Sequence, residues 1–479
     1  MLAAQIKRLA KHSAIYGLGG IVSRVIALFL LPLYTRYLTP ADYGAIETLL
    51  ALAAVLVTVL RLGISSAFFR FYFDATDEAG RTTIVRTSFW FTMASATVGL
   101  AAGLLLAGPI SQALFDTDSR TGLVRAAFVG LWAQMNYEQL TSLFRVEERS
   151  IHFVLATLAN LLITVAATVV LVVGLDQGAL GVVVGNFTGT LSVYLVLLLY
   201  RRYQLGLEFD RPLLREMNRF GVPLVPSALA LWATNFSDRF FLVKLADVRE
   251  VGVYSIGVRI ASALVLLLTA FRTAWPAFAY SIDDDREARR TYGFVLTYLI
   301  VLASWLALTL GLLSPWLVRL LTTPEFYSAS RVVAPLSFAG VAFAGYIVMA
   351  IGVGRARRTQ FNWVVTGAGA LVNVALNLIL IPPYGMMGAA IAQVAAFTTM
   401  FGGMTWNAQS VYRVPYQWRR VVTAAGAAVG LTVLGKLVDA PLALAITLAA
   451  VYPLVLLPLG FYLPAERRRF HRFIVRRAT

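Results

Sequence analysis

The 479-residue chain has no cysteine and only three histidines, His12, His152 and His471. Disulfides, a thiol nucleophile and a cysteine metal site are therefore excluded. Three imidazoles so far apart in the chain make no ligand set. Charge is scarce as well, at 14% of residues against 59% hydrophobic. Such a composition does not describe a soluble domain. Also missing are a GxxxxGK[ST] phosphate loop, a pair of catalytic carboxylates, and a nucleophile set beside a base. No cofactor is expected. The only acidic run, Asp283-Asp284-Asp285, reads as a solvated loop rather than the centre of a glycosyl- or phosphotransferase.

What the chain has is apolar runs of about 20 residues, each long enough to cross roughly 30 Å of hydrocarbon. Lipid demands an internally satisfied backbone, so the runs are helices, being too long for barrel strands. Fourteen spans are predicted, at 13–37, 42–66, 84–107, 123–146, 150–174, 178–200, 214–238, 250–279, 291–313, 329–351, 359–381, 386–407, 419–437 and 440–462. The basic N-terminal residues before the first run imitate a signal peptide. That run carries Arg24 and lacks a small-residue cleavage site, so it is expected to be retained.

The formal net charge is +17, and its distribution argues against nucleic acid. Of 41 Lys and Arg, 27 fall on one side of the predicted spans, 8 on the other and 6 inside them. The positive-inside rule then puts both termini in the cytoplasm. The tail after 463 reads as a contact for anionic membrane lipids.

An internal repeat is visible. An offset of 208 lays Asp42-Tyr43-Gly44 on Glu250-Val251-Gly252, Arg36 on Lys244, and Asp77…Arg81 on Asp285…Arg289. An offset of 207 lays Gly178…Val182 on Gly385…Ala389. Six spans separate the copies, which implies two six-helix lobes related by an axis along the membrane normal. The expected organisation is 1–203 and 204–413 for the lobes, 414–463 for two further helices, and 464–479 for a basic cytoplasmic tail.

Charged residues inside spans face a protein interior or a watery cavity. Arg24, Arg61, Arg259 and Arg272 together describe a cavity for an anion, and guanidinium groups suit phosphate oxygens. Arg259 and Arg272 stand roughly 220° apart on an ideal helix, so both reach one cavity only if the helix bends. The acids open to gating or ion coupling are Glu47, Glu138 and Asp238, with Arg239 beside the last. Adjacent opposite charges project from different helix faces, so Asp238 and Arg239 are expected to pair with neighbours. Glu138 has Arg145 as a candidate partner. Asn362, Thr366, Asn373 and Asn377 fall within about 60° of one another and form a polar stripe, read as cavity lining or interhelical hydrogen bonding. Arg24 does not recur in the repeat, because the shifted position is Trp232.

Gly19-Gly20 with Arg24, then Leu31-Pro32-Leu33-Tyr34-Thr35-Arg36-Tyr37-Leu38 and Asp42-Tyr43-Gly44, resembles the start of the oligosaccharide flippases. These are the polysaccharide-biosynthesis transporters of the multidrug/oligosaccharidyl-lipid/polysaccharide (MOP) superfamily. Asp238-Arg239 with Gly252-Val253-Tyr254-Ser255, and Pro383…Ala390, resemble later segments of the family. The resemblance implies an all-α, MATE-like polytopic protein of the bacterial cytoplasmic membrane, a transporter and not an enzyme. The implied substrate is an undecaprenyl-pyrophosphate-linked oligosaccharide, with a polysaccharide polymerase and glycosyltransferases as pathway partners. Related lipid II flippases place arginines on their first, second and eighth helices, which implies a substrate role for Arg24, Arg61, Arg259 and Arg272. Their last two helices form a lipid-tail groove, which implies the same for 419–462. The alternatives are a lipid II flippase and a cation-coupled multidrug exporter, which prefers acidic cavities.

Overall fold

The computed structural model describes residues 30–464. Arg24 and the basic tail from 465 onward lie outside the described residues. Among the described residues all regular structure is helical. The helices are α1 (Leu31–Tyr37), α2 (Pro40–Arg61), α3 (Ile64–Asp74), α4 (Glu78–Leu105), α5 (Ala107–Phe115), α6 (Thr121–Val146), α7 (Ser150–Val169), α8 (Gly178–Leu205) and α9 (Arg211–Gly221). They continue as α10 (Val225–Leu245), α11 (Val248–Tyr280), α12 (Asp285–Leu321), α13 (Ser330–Arg355), α14 (Asn362–Tyr384), α15 (Met386–Val411), α16 (Trp418–Leu437) and α17 (Leu442–Val455).

Ten of the described helices are long and apolar enough to cross a membrane. Elsewhere the structure departs from the predicted spans for identifiable reasons. The expected span 123–146 is present as α6 and falls outside the ten only because it is polar: its Asn136, Gln139, Thr141 and Ser142 are buried in protein. The expected span 42–66 stops at Leu62 and Gly63, both left-handed (φ 47° and 73°), and the chain turns into α3. The expected span 214–238 is two helices: α9 is capped by Asp210, and the break at Val222–Leu224 precedes α10. On α9, Arg211, Arg215 and Arg219 recur every fourth residue and are exposed, while Met217 is buried, the pattern of an interfacial helix. The last expected span shortens to α17, since Pro453, Pro458 and Gly460 close to its end are poor helix formers.

Two compact units result. The first comprises the chain up to Ser255 with Asn377–Met386, and the second comprises Ile256–Leu376 with the chain from Met387 on. The core of the first gathers Phe68, Phe89, Tyr137, Phe144, Tyr194 and Met217 from α3, α4, α6, α8 and α9. Lipid offers helices no hydrophobic reason to associate, so close packing depends on small residues. Gly185 and Gly189 on α8 meet Thr168, Thr164 and Asn160 on α7, and Thr190 donates to the Asn160 side chain at 3.3 Å. In the second unit, Leu308 and Leu312 of α12 pack on Ala424 and Ala428 of α16 and on Ala445 and Tyr452 of α17.

Backbone conformation supports the repeat. Gly178 and Gly385 open their helices at nearly one conformation, φ 51° and 53°. Asp77 caps α4 and Asp284 caps α12. The equivalence at that point is therefore Asp77 with Asp284, an offset of 207, and not with Asp285 as the loop composition suggests.

Candidate functional site

In the first unit the site is built along α2. Thr39 and Asp42 close a capping box at its start, with Pro40 as the first helical residue. There α2 crosses the start of α11 at backbone distance. A Cβ on Gly44 would sit 1.9 Å from the Val248 carbonyl oxygen, and one on Gly252 would sit 2.0 Å from that of Pro40. The offset of 208 maps Pro40 on Val248 and Gly44 on Gly252. The contact is thus reciprocal between equivalent residues, as at any two-fold interface. At the other end of α2, Gly63 and Gly221 touch through their backbones. Between them the Trp232 indole donates to the Ala51 carbonyl at 3.0 Å.

A buried charge network lies beside the crossing. Asp238 and Arg239 on α10 are 2% and 5% exposed. The Arg239 Nη1 donates to Asp238 Oδ1 at 3.0 Å and to the Asn235 carbonyl at 3.0 Å, and its Nε lies 3.9 Å from Glu47 Oε2. Tyr254 on α11 donates to Asp238 Oδ2 at 2.5 Å. Asp238 and Arg239 do pair with neighbours, Tyr254 and Glu47, but the expectation that they would do so rather than with each other is corrected. The long arginine side chain folds back over the preceding carboxylate, and burial favours that pairing. Neither Tyr254 nor Glu250 was singled out as a functional residue from sequence. The Glu250 carboxylate accepts from the Met386 amide at 2.7 Å, at the N-terminus of α15.

Arg61, at the far end of α2, donates to Glu138 Oε2 at 2.6 Å and to the Met135 carbonyl at 3.2 Å. Gln134 bonds the other Glu138 oxygen. Glu138 therefore takes Arg61 rather than Arg145, whose guanidinium turns to the Ser142 hydroxyl at 3.0 Å and over the Phe69 ring. In the second unit Arg259 is half-buried and Arg272 is exposed, in line with their angular separation on α11. On α14, Thr366, Asn373 and Asn377 are buried and Asn362 partly so, and Thr366 donates back to the Asn362 carbonyl at 3.1 Å. Among the described residues no group of His, Asp and Glu is placed to hold a metal ion.

These features define a class of fold, the polytopic helical membrane bundle shared with solved proteins of the MOP superfamily. The structure superimposes on a lipid II flippase, MurJ, in an inward closed conformation, with a TM-score of 0.73 at 12% identity, over 92% of this chain and 98% of that one. It also superimposes on an inward-facing multidrug resistance MATE family transporter of the MOP superfamily, with a TM-score of 0.68 at 14% identity, over 82% and 93%. At such identities the likeness is one of fold. Residues 33–331 match the family described as polysaccharide biosynthesis protein, and the chain belongs to that family. A curated relative, an uncharacterized membrane protein of Methanocaldococcus jannaschii, is 23% identical over 209 residues, 41% of this chain. The match spans about 40% of that relative's length.

Proposed function

We propose that the chain is a flippase moving a polyprenyl-pyrophosphate-linked oligosaccharide, of the undecaprenyl type, from the cytoplasmic to the outer leaflet of the bacterial cytoplasmic membrane. It would act by alternating access of the lobes 1–203 and 204–413, for surface polysaccharide assembly alongside a polymerase and glycosyltransferases. The observation that carries the reading is membership of the polysaccharide biosynthesis family in a chain whose predicted spans hold Arg24, Arg61, Arg259 and Arg272. Guanidinium groups stay charged and bind phosphate oxygens in pairs. In this reading the pyrophosphate competes with Glu138 for Arg61. Taking Arg61 frees the carboxylate, so substrate arrival is felt at α6. The sugars occupy the hydrated cavity and the polyprenyl chain stays in lipid.

Replacing Arg24 or Arg61 with Ala is expected to abolish surface polysaccharide at unchanged protein level. Full output from both variants would overturn the cationic-cavity mechanism. Since the chain lacks cysteine, topology can be read from Asp247→Cys and Asp285→Cys. With both termini cytoplasmic, only the former reacts with an impermeant reagent in intact cells. The alternative of cation-coupled drug export needs acids open to a cationic substrate. Glu47 and Asp238 are instead engaged by Arg239 and, for Asp238, by Tyr254 as well.

A further inference from the structure

A cleft of about 470 Å³ opens in the second unit where the ends of α12 and α16 meet the start of α13. Its wall carries Arg319 from the last turn of α12, Arg331 from the first turn of α13, and Lys436 from the last turn of α16. Asp439 is the one carboxylate in the lining. Among the described residues none of the three cations is within ion-pair distance of a carboxylate. Lys244, by contrast, is held by Asp116 at 2.9 Å. Three like charges around one cleft repel unless an anion joins them.

The cleft is held in shape from below. The Ser314 hydroxyl lies 2.9 Å from the Gly311 carbonyl oxygen and 3.0 Å from that of Ser330, tying α12 to the start of α13. Gly311 and Gly435 bring the helices close, since a Cβ on Gly435 would meet the Leu312 side chain at 2.4 Å. Its depth is set by helix length. From Asp285 to Arg319 the rise is about 50 Å at ~1.5 Å per residue. That exceeds the roughly 30 Å hydrocarbon core, which is length enough for the Arg319 end to reach headgroup level. The repeat does not explain the cations, because an offset of 208 puts Ser111 and Leu123 at the positions of Arg319 and Arg331. Lys436 belongs to the helix pair outside the repeat.

We infer that this cleft binds a phosphate-bearing lipid headgroup at the membrane surface, with a dianionic phosphate or diphosphate matching three cations less one carboxylate. The inference does not depend on the transport reading. Guanidinium forks from Arg319 and Arg331 would take two oxygens each, and Lys436 would act as a point charge. Trp316, also in the lining, offers an apolar wall for the first carbons of the chain.

The test is native mass spectrometry of the purified full chain with three probes: geranylgeranyl pyrophosphate, phosphatidylglycerol and inorganic pyrophosphate. The triple variant Arg319→Gln, Arg331→Gln, Lys436→Gln is expected to lose about tenfold in apparent affinity for one bound equivalent. Loss for geranylgeranyl pyrophosphate alone identifies a lipid diphosphate. Equal loss for phosphatidylglycerol, whose phosphodiester carries a single charge, overturns the dianion match, and loss for inorganic pyrophosphate shows that the free anion suffices. Unchanged binding of all three probes overturns the proposal. Asp439→Asn keeps it testable should the triple variant not fold, because removing the single carboxylate must tighten binding several-fold. Unchanged or weaker binding there is equally fatal. Arg61→Ala, which strikes the proposed transport site, is expected to leave this equivalent in place.

Discussion

The two halves of the repeat close the same helix end with opposite charges. In the first unit Glu147, at the end of α6, receives both Arg201 terminal nitrogens at 2.7 Å. Arg201 is 2% exposed and lies over the Phe144 ring at 4.7 Å. In the second unit the position equivalent to Glu147 is Arg355, at the end of α13. Its Nε donates to Asp285 at 3.0 Å and its Nη2 to the Ile282 carbonyl at 2.9 Å. Tyr412 adds a bond to the same Asp285 carboxylate at 3.0 Å. Backbone and location are duplicated while polarity is inverted. What the repeat conserves is the need to tie the end of this helix to its neighbours. Which residue carries which sign is left free, as with Arg24 and Trp232. The solutions also differ in burial: the first is a largely desolvated pair, and the second joins a mostly buried arginine to a carboxylate that is 55% exposed and to loop carbonyls.

That difference predicts unequal sensitivity. Glu147→Ala leaves the buried Arg201 without its carboxylate and is expected to cost about 3–5 kcal/mol. Thermal unfolding in detergent reads this directly, and a change no larger than that of a surface variant would dissolve the distinction. Asp238→Ala leaves the buried Arg239 with Glu47, at 3.9 Å, as its remaining carboxylate and should fall at the lower end of that range. Gly44→Ala and Gly252→Ala each force a methyl against a backbone carbonyl and should cost about 1–3 kcal/mol. Because the contact is reciprocal, the two losses should match, and a harmless change at one site would break the symmetry. The smallest effect belongs to Asp285→Ala. The side chain is 55% exposed, so losing its ion pair should cost no more than about 1 kcal/mol. A loss as large as that of Glu147→Ala would mean that the two clasps are alike after all.

The sequence conveys the architecture well and the partners poorly. Apolar run length and lysine–arginine sorting depend only on local composition, and the repeat appeared in two short glycine-bearing motifs. The reciprocal meeting of Gly44 and Gly252 was implicit in the offset of 208, since equivalent residues near an axis must face each other. Side-chain pairing was not legible. Arg61 and Arg145 both lay within plausible reach of Glu138, and only tertiary packing decides between them. The turn at Leu62–Gly63 left one signal, the glycine, because a left-handed leucine costs only about 1–2 kcal/mol and advertises nothing in sequence. The two-helix character of this segment did carry signals: Asp210 with Pro212 marks the start of α9, and Gly221, Pro223 and Pro226 mark the break before α10.

The crossing of Gly44 with Gly252 also sets a schedule for making the protein. The second glycine is synthesised 208 residues after the first, roughly 10–40 s later at ~5–20 residues per second. For that interval α2 stands in the nascent membrane without the helix its glycine is shaped to receive. The first spans must therefore persist as a partial assembly, and the groove at Gly44 must wait, filled by lipid or by the insertion machinery, until α11 arrives. A slowdown in translation after about residue 200 should lengthen the life of that intermediate more than one near the end of the chain.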